Sequence, residues 1–177
     1  MHAYENDGDM YKPPVYLAPL LYAARGIPFE MQHHFNQLTT LDMNYSSKHP
    51  SHMSALFRLP NLECLTLFSA EMSHKEFREA YRLGPSEVNA WECPPESSRV
   101  RRLSLCSTLP SQVIDNMLRT CSSLRPFAFN GDVCVHHEPG WFHNVAKSLK
   151  IHQGSLERVR LDGAHYDWLI VPSALAG

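Results

Sequence analysis

At 177 residues, with 44% hydrophobic and 19% charged, the chain is long enough for one domain with a sizeable core and is not composed like an intrinsically disordered segment. Sixteen basic against 18 acidic residues give a net charge of -2 with no basic cluster, so nothing is set up to track a nucleic-acid backbone. No apolar run approaches the ~20 residues that span a bilayer. The five cysteines, Cys64, Cys93, Cys106, Cys121 and Cys134, are odd in number and contain no C-x-x-C pair. Free thiols in a reducing compartment are therefore expected, not a disulfide framework or a zinc site.

Residues 1–12 are polar, with Glu5, Asp7 and Asp9 against Lys12 as the one fixed positive charge, which is the wrong start for a secretory or mitochondrial signal. The expectation is a soluble, intracellular protein, cytoplasmic or nuclear. Pro13 and Pro14 introduce an apolar segment from Val15 to Arg25, which Gly26 and Pro28 stop as helices are commonly stopped. Residues 1–34 read as a polar tail and a helical cap over one end of the core, or alternatively as the remnant of another domain. Phe35, Leu38, Leu41 and Met43 then begin a rhythm of apolar residues three, three and two apart. The clearest copy is Leu59, Leu62, Leu65 and Leu67, which suits a coil entering a short strand. Between these two copies Met53, Leu56 and Phe57 stand at helical spacing.

After Leu67 comes the best-written helix: Ser73 and Glu76 form a capping box, Met72 and Phe77 stand at staple positions, and Phe77, Ala80 and Tyr81 make one apolar face before Gly84-Pro85. A short turn from Ser86 to Trp91 and the pair Pro94-Pro95 close this insertion. Val100, Leu103 and Leu105 repeat the strand rhythm. Ser111 is placed to cap a helix with Ile114, Met117, Leu118 and Cys121 on one side. Leu124, Phe127 and Phe129 follow, then a helical face of Phe142, Val145, Ala146 and Leu149 with Gly154 beyond it, and then Leu156, Val159 and Leu161. Residues 165–177 read as a C-terminal tail.

The last apolar residues of the five copies, Met43, Leu67, Leu105, Phe129 and Leu161, are separated by 24, 38, 24 and 32 residues. Two steps lie in the ~20–29-residue range of leucine-rich repeats and two carry insertions. Strand and helix alternating in this way predict an α/β fold: a right-handed solenoid over residues 35–164, with short parallel strands on the concave face and helices on the convex face.

The segments LPNLECLTL, SSRVRRLSL, LPSQVIDNMLRTCSSLRPFAF and SLKIHQGSLERVRLDG resemble the irregular leucine-rich repeats that follow the F-box in many fungal F-box proteins. The resemblance runs from Phe35 to Gly163. It implies that the repeats hold a protein substrate, while an F-box elsewhere docks on the linker subunit of a cullin-based ubiquitin ligase. Residues 1–34 are too short, and too interrupted by Pro19, Gly26 and Pro28, to be a complete F-box. The turn position that is often asparagine in such repeats is Ser46, Ala70, Thr108, Asp132 and Ala164 here, so an irregular repeat is expected.

Catalytic motifs are lacking in the sequence. His137-Glu138 begins the H-E-x-x-H zinc pattern, but Trp141 stands where the second histidine belongs, and Cys134 with His136 makes only a two-ligand loop better read as an exposed turn. His33-His34 is no stronger. No serine-hydrolase, P-loop or dinucleotide signature occurs. No enzyme activity, cofactor or metal is expected.

Binding is the better reading, because strand alternation predicts which side chains face away from the core. That set is Thr40, Asp42, Asn44; Cys64, Thr66, Phe68; Arg102, Ser104, Cys106; Pro126, Ala128, Asn130; and Arg158, Arg160, Asp162. Asp42, Asn44, Thr66, Phe68, Arg102, Ser104, Asn130, Arg158, Arg160 and Asp162 are the candidate partner-binding residues, with aromatic and arginine character of the kind hot spots favour. Arg158 and Arg160 share one side of one strand, and Asp162 can neutralise only one of them well. An acidic or phosphorylated protein ligand is therefore expected. The leading expectation is substrate recognition in an F-box-like ubiquitin-ligase adaptor. The alternatives are a leucine-rich-repeat scaffold with no ligase link and, more distantly, a hydrolase with dispersed catalytic residues.

Overall fold

The computed structural model describes residues 18–27, 35–44, 50–68, 91–106, 109–131, 140–163 and 166–170. In chain order these form α1 (Ala18–Arg25), β1 (Thr40–Asn44), α2 (Pro50–Leu56), β2 (Cys64–Phe68), β3 (Arg102–Cys106), α3 (Ser111–Thr120), β4 (Pro126–Asn130), α4 (Trp141–Leu149), a 3-10 turn (Lys150–His152), β5 (Arg158–Gly163) and β6 (Tyr166–Ile170). The expected helix of Ser73 to Tyr81, the loop of Cys134 and His136, and the turn positions Ser46, Ala70, Thr108, Asp132 and Ala164 lie outside the described residues.

The fold is α/β. The six strands lie in one open sheet in chain order, with β1 to β5 all parallel and β6 antiparallel to β5. Cα partners run Leu41↔Leu65, Leu65↔Leu103, Leu103↔Phe127 and Phe127↔Val159. These are the offsets of 24, 38, 24 and 32 residues at which the apolar rhythm recurs, so the rhythm is the register. Residues 165–177, expected as a tail, contain a sixth strand, in which Val159 pairs with Ile170 and Gly163 with Tyr166.

One face of the sheet is the core. Leu65, Leu67, Leu103, Leu105, Phe127, Phe129, Val159 and Leu161 are all buried, and they form one cluster with Met53 and Phe57 after β1, Ile114 and Met117 of α3, and Val145 and Leu149 of α4. Burying each such side chain contributes roughly 1.5–3 kcal/mol. The side chains between them on the strands are half-buried or exposed, so among the described residues the helices pack on one face and leave the other open. At the β1 edge the core thins: Met43 is buried, whereas Phe35, Leu38 and Leu41 are only half-buried.

β2, β3 and β5 are each entered through a shared carbonyl. Thr39 C=O accepts from the N–H groups of Glu63 and Cys64 (2.8 and 2.9 Å), Glu63 C=O from Arg101 and Arg102 (2.8 and 3.0 Å), and Arg125 C=O from Glu157 and Arg158 (2.9 and 3.3 Å). At β4 the second bond of the pair is lost because Pro126 has no N–H, leaving Arg125 N–H on Arg101 C=O at 2.8 Å. A proline survives in this interior strand because it is the first residue, where the loss is one shared bond.

Helix ends show where the sequence reading holds and where it gives way. At α1, Gly26 at φ +66° sends its N–H to Ala23 C=O (3.1 Å) while Ile27 N–H reaches Tyr22 C=O (2.9 Å), a complete Schellman motif. Ser111, expected as a cap, is instead the first helical residue of α3. Pro110 occupies the N-cap, and its fixed φ of -57° sets the helix entry without a side-chain acceptor. In α4 the buried face is Trp141, Val145, Ser148 and Leu149: Val145 and Leu149 of the expected face are buried, whereas Phe142 and Ala146 are only half-buried. Trp141 decides that rotation. Its ring packs on Phe129 at a centroid distance of 4.6 Å, and its Nε1–H donates to Leu109 C=O at 2.9 Å.

Candidate interaction surface

Because the parallel strands are in register, the outward side chains stand in three rows across the open face. The first row is Thr40, Cys64, Arg102, Pro126 and Arg158; the second is Asp42, Thr66, Ser104, Ala128 and Arg160; the third is Asn44, Phe68, Cys106, Asn130 and Asp162. All ten candidate binding residues therefore lie on one face. Asp42 and Asn44 sit on β1, Thr66 and Phe68 on β2, Arg102 and Ser104 on β3, Asn130 on β4, and Arg158, Arg160 and Asp162 on β5. Asn44, Phe68, Arg102, Asn130, Arg158 and Arg160 are exposed, whereas Thr66, Ser104 and Asp162 are half-buried between neighbouring strands.

Phe68 is 42% exposed at the second place of the third row, between Asn44 and Cys106. A large aromatic left open on a strand is available as an anchor, since burying it against a partner recovers apolar area that folding left in water.

Charge is distributed unevenly. Arg160 Nε donates to Asp162 Oδ2 on the same strand, so these two neutralise each other. In line with the expectation that Asp162 neutralises only one of the two, Arg158 and Arg160 differ: Arg158 is exposed and has no side-chain ion pair among the described residues, and the same holds for Arg102. Asp42 is in the same row as Arg160 but with three strands between them. At the strand entries Arg125 pairs with Glu157 at 3.3 Å, and Arg99 Nη1 donates to Asn61 Oδ1 at 3.0 Å. Arg101, which the outward alternation did not single out, is exposed next to Arg102. The adjacent arginines of SSRVRRLSL carried that signal, because the residue just before a strand is turned to solvent whatever the alternation within it.

Between the arginines the floor is low. On β4 the outward positions of the first and second rows are Pro126 and Ala128, flanked by Arg102 and Ser104 on one side and Arg158 and Arg160 on the other. Hydroxyls, two amides, two carboxylates, guanidiniums and one open aromatic are what this face offers. It can donate hydrogen bonds, pair with anions and bury apolar surface.

The thiols divide by environment. Cys64 and Cys106 are half-buried on the open face; Cys93 and Cys121 are buried, and Cys93 Sγ donates to Ser54 C=O at 2.9 Å. Burial pushes the Cys93 thiol up from 9.0 to about 11, partly offset by the nearby Arg58 charge, and the Cys121 thiol up to about 12. Among the described residues no group of three or more His, Cys, Asp or Glu is placed to hold a metal ion, and no helix is long and apolar enough to cross a membrane. His152, which no sequence motif singles out, is buried with Nε2 at 2.8 Å from Leu118 C=O and so satisfies a carbonyl at the end of α3. No family model matches the chain, and no match arises among curated proteins or solved structures.

Proposed function

We propose that this chain is a protein-interaction domain built as a leucine-rich-repeat solenoid, whose open sheet face holds a protein partner. The observation that carries the proposal is the placement of every outward strand residue, with Phe68 exposed among them, on one face that the helices leave bare. Five parallel strands whose register follows the repeat spacing are what a right-handed solenoid requires, with this face as the concave one. By its resemblance to the repeats of fungal F-box proteins, the domain serves as the substrate-recognition half of a ubiquitin-ligase adaptor. The ligand brings acidic or phosphorylated side chains, which the arginines of β3 and β5 complement.

Two measurements on the full chain in cells test this. Proximity labelling compares wild type with the variant Phe68→Glu, Thr66→Arg, which alters the face on β2 and leaves the core residues alone. A set of neighbours lost in the variant is the expected result, and an unchanged set removes the open face from the account. Co-purification of the linker and cullin subunits with the chain is expected from the adaptor role. Their absence from a preparation that retains its Phe68-dependent neighbours would leave a binding scaffold without a ligase link.

A further inference from the structure

We infer that the open face carries a phosphate-binding position formed by Arg102 and Arg158 over Pro126, and that its ligand is a phosphoserine- or phosphothreonine-bearing segment. This rests on the interaction-domain reading and specifies the chemistry of its ligand. Pro126 and Arg158 are Cα partners, and the β3–β4 register, paired from Leu103↔Phe127 to Leu105↔Phe129, places Arg102 opposite Pro126 when carried back one residue. The two arginines are therefore two strand spacings apart, about 10 Å between Cα atoms, with only a proline ring between them. That separation lets two long guanidinium stems lean over Pro126 and converge on one group. Proline offers no side-chain charge or hydrogen bond to compete for them.

The charge count selects the group. Arg160 is already satisfied by Asp162 and Arg125 by Glu157, whereas Arg102 and Arg158 have no ion pair among the described residues. One carboxylate brings a single negative charge and would leave one guanidinium uncompensated. A phosphomonoester brings about -1.5 to -2 at pH 7 and three acceptor oxygens, enough for bidentate hydrogen bonds from both arginines. Arg160 stands in the neighbouring row but is held by Asp162, so it contributes little to this position.

The test is a titration of the folded chain, followed by NMR of the arginine Nε–H resonances, with N-acetyl-phosphoserine N-methylamide and, in parallel, N-acetyl-glutamate N-methylamide. Saturable shifts at Arg102 and Arg158 with the phosphoserine probe are expected, with the glutamate probe at least about tenfold weaker, as losing one of two charge-assisted contacts implies. Arg102→Gln or Arg158→Gln should each weaken binding about tenfold, while Arg160→Gln should change it less than about threefold. Lowering the pH from 7.5 to 5.5 should weaken phosphoserine binding, because the second phosphate ionisation lies near ~6. Equal response to both probes, or binding indifferent to Arg102→Gln and Arg158→Gln, would overturn the phosphate site. If that happened while the Phe68-dependent neighbours persisted, only the ligand chemistry would fall and the interaction face would stand.

Discussion

Leu65 and Thr66 are neighbours in β2 with opposite environments: Leu65 is 1% exposed in the core, and Thr66 is half-buried on the open face. Leu65→Ala is expected to cost roughly 2–5 kcal/mol through the cavity it leaves. Thr66→Ala is expected to stay within about 0.5 kcal/mol, since it removes no core volume. Urea titrations that gave equal losses would contradict the alternation. The cysteines make a second residue-scale contrast. Because burial raises the Cys93 thiol to about 11 and the Cys121 thiol to about 12, neither forms much thiolate at pH 8, whereas Cys64 and Cys106 are half-buried on the open face. Iodoacetamide at pH 8 should modify Cys64 and Cys106 while leaving Cys93 and Cys121 intact until the protein is unfolded. The same shifts have a stability consequence whose sign is fixed. Each thiol is held protonated in the fold, so its contribution is complete below about pH 9 and is lost as pH rises toward about 11 for Cys93 and about 12 for Cys121. Alkaline melting curves of wild type and Cys121→Ala should converge over that range.

At the scale of elements, α3 and α4 are tied by Asp115. Ser148 Oγ lies 2.5 Å from Asp115 Oδ1 and 3.0 Å from Asn144 C=O, and its single proton goes to the carboxylate as the stronger acceptor. Asp115 Oδ2 accepts from Arg119 Nε at 2.7 Å, which holds the guanidinium more firmly protonated than usual. Magnitudes separate the two bonds. Arg119 is more than half exposed, and an exposed pair of this kind contributes ~0.3–0.5 kcal/mol, whereas a buried hydroxyl bonded to a charged group contributes ~1.5–3 kcal/mol. Asp115→Ala should therefore destabilise by about 2 kcal/mol and Arg119→Ala by less than about 0.5 kcal/mol. Similar losses in thermal melts would mean that the helix–helix hydrogen bond is not what Asp115 supplies. The two helices also mark the limits of the sequence. Their apolar periodicity identified both, but the facing of α4 turned on Trp141, whose partners Phe129 and Leu109 come from segments 12 and 32 residues earlier and leave no local trace.

Across the whole molecule, the leucine rhythm was enough to place all five parallel strands, because each copy needs the next to bury its face and the register leaves no freedom once those faces meet. The outward alternation followed directly, and with it the candidate surface. β6 was invisible for a related reason: it pairs antiparallel through backbone hydrogen bonds with β5 and carries no copy of the rhythm. The balance of charge on the surface was legible only in part. Sequence placed Arg158 and Arg160 on one side of β5, but that Asp162 takes Arg160 and leaves Arg158 depends on side-chain geometry.

One register, running through steps of 24 to 38 residues, puts these side chains on a single open face. The longest step, between β2 and β3, is its hardest case. Thr66 and Ser104 are Cα partners across it, at a spacing of about 4.8 Å that a disulfide accepts. In a background with Cys64→Ser and Cys106→Ser, mild oxidation of Thr66→Cys, Ser104→Cys should form that cross-link in the native protein. The pair Thr66→Cys, Leu105→Cys, one residue out of register and on the opposite face, should not. Cross-linking of the second pair and not the first would contradict the register and the face built on it.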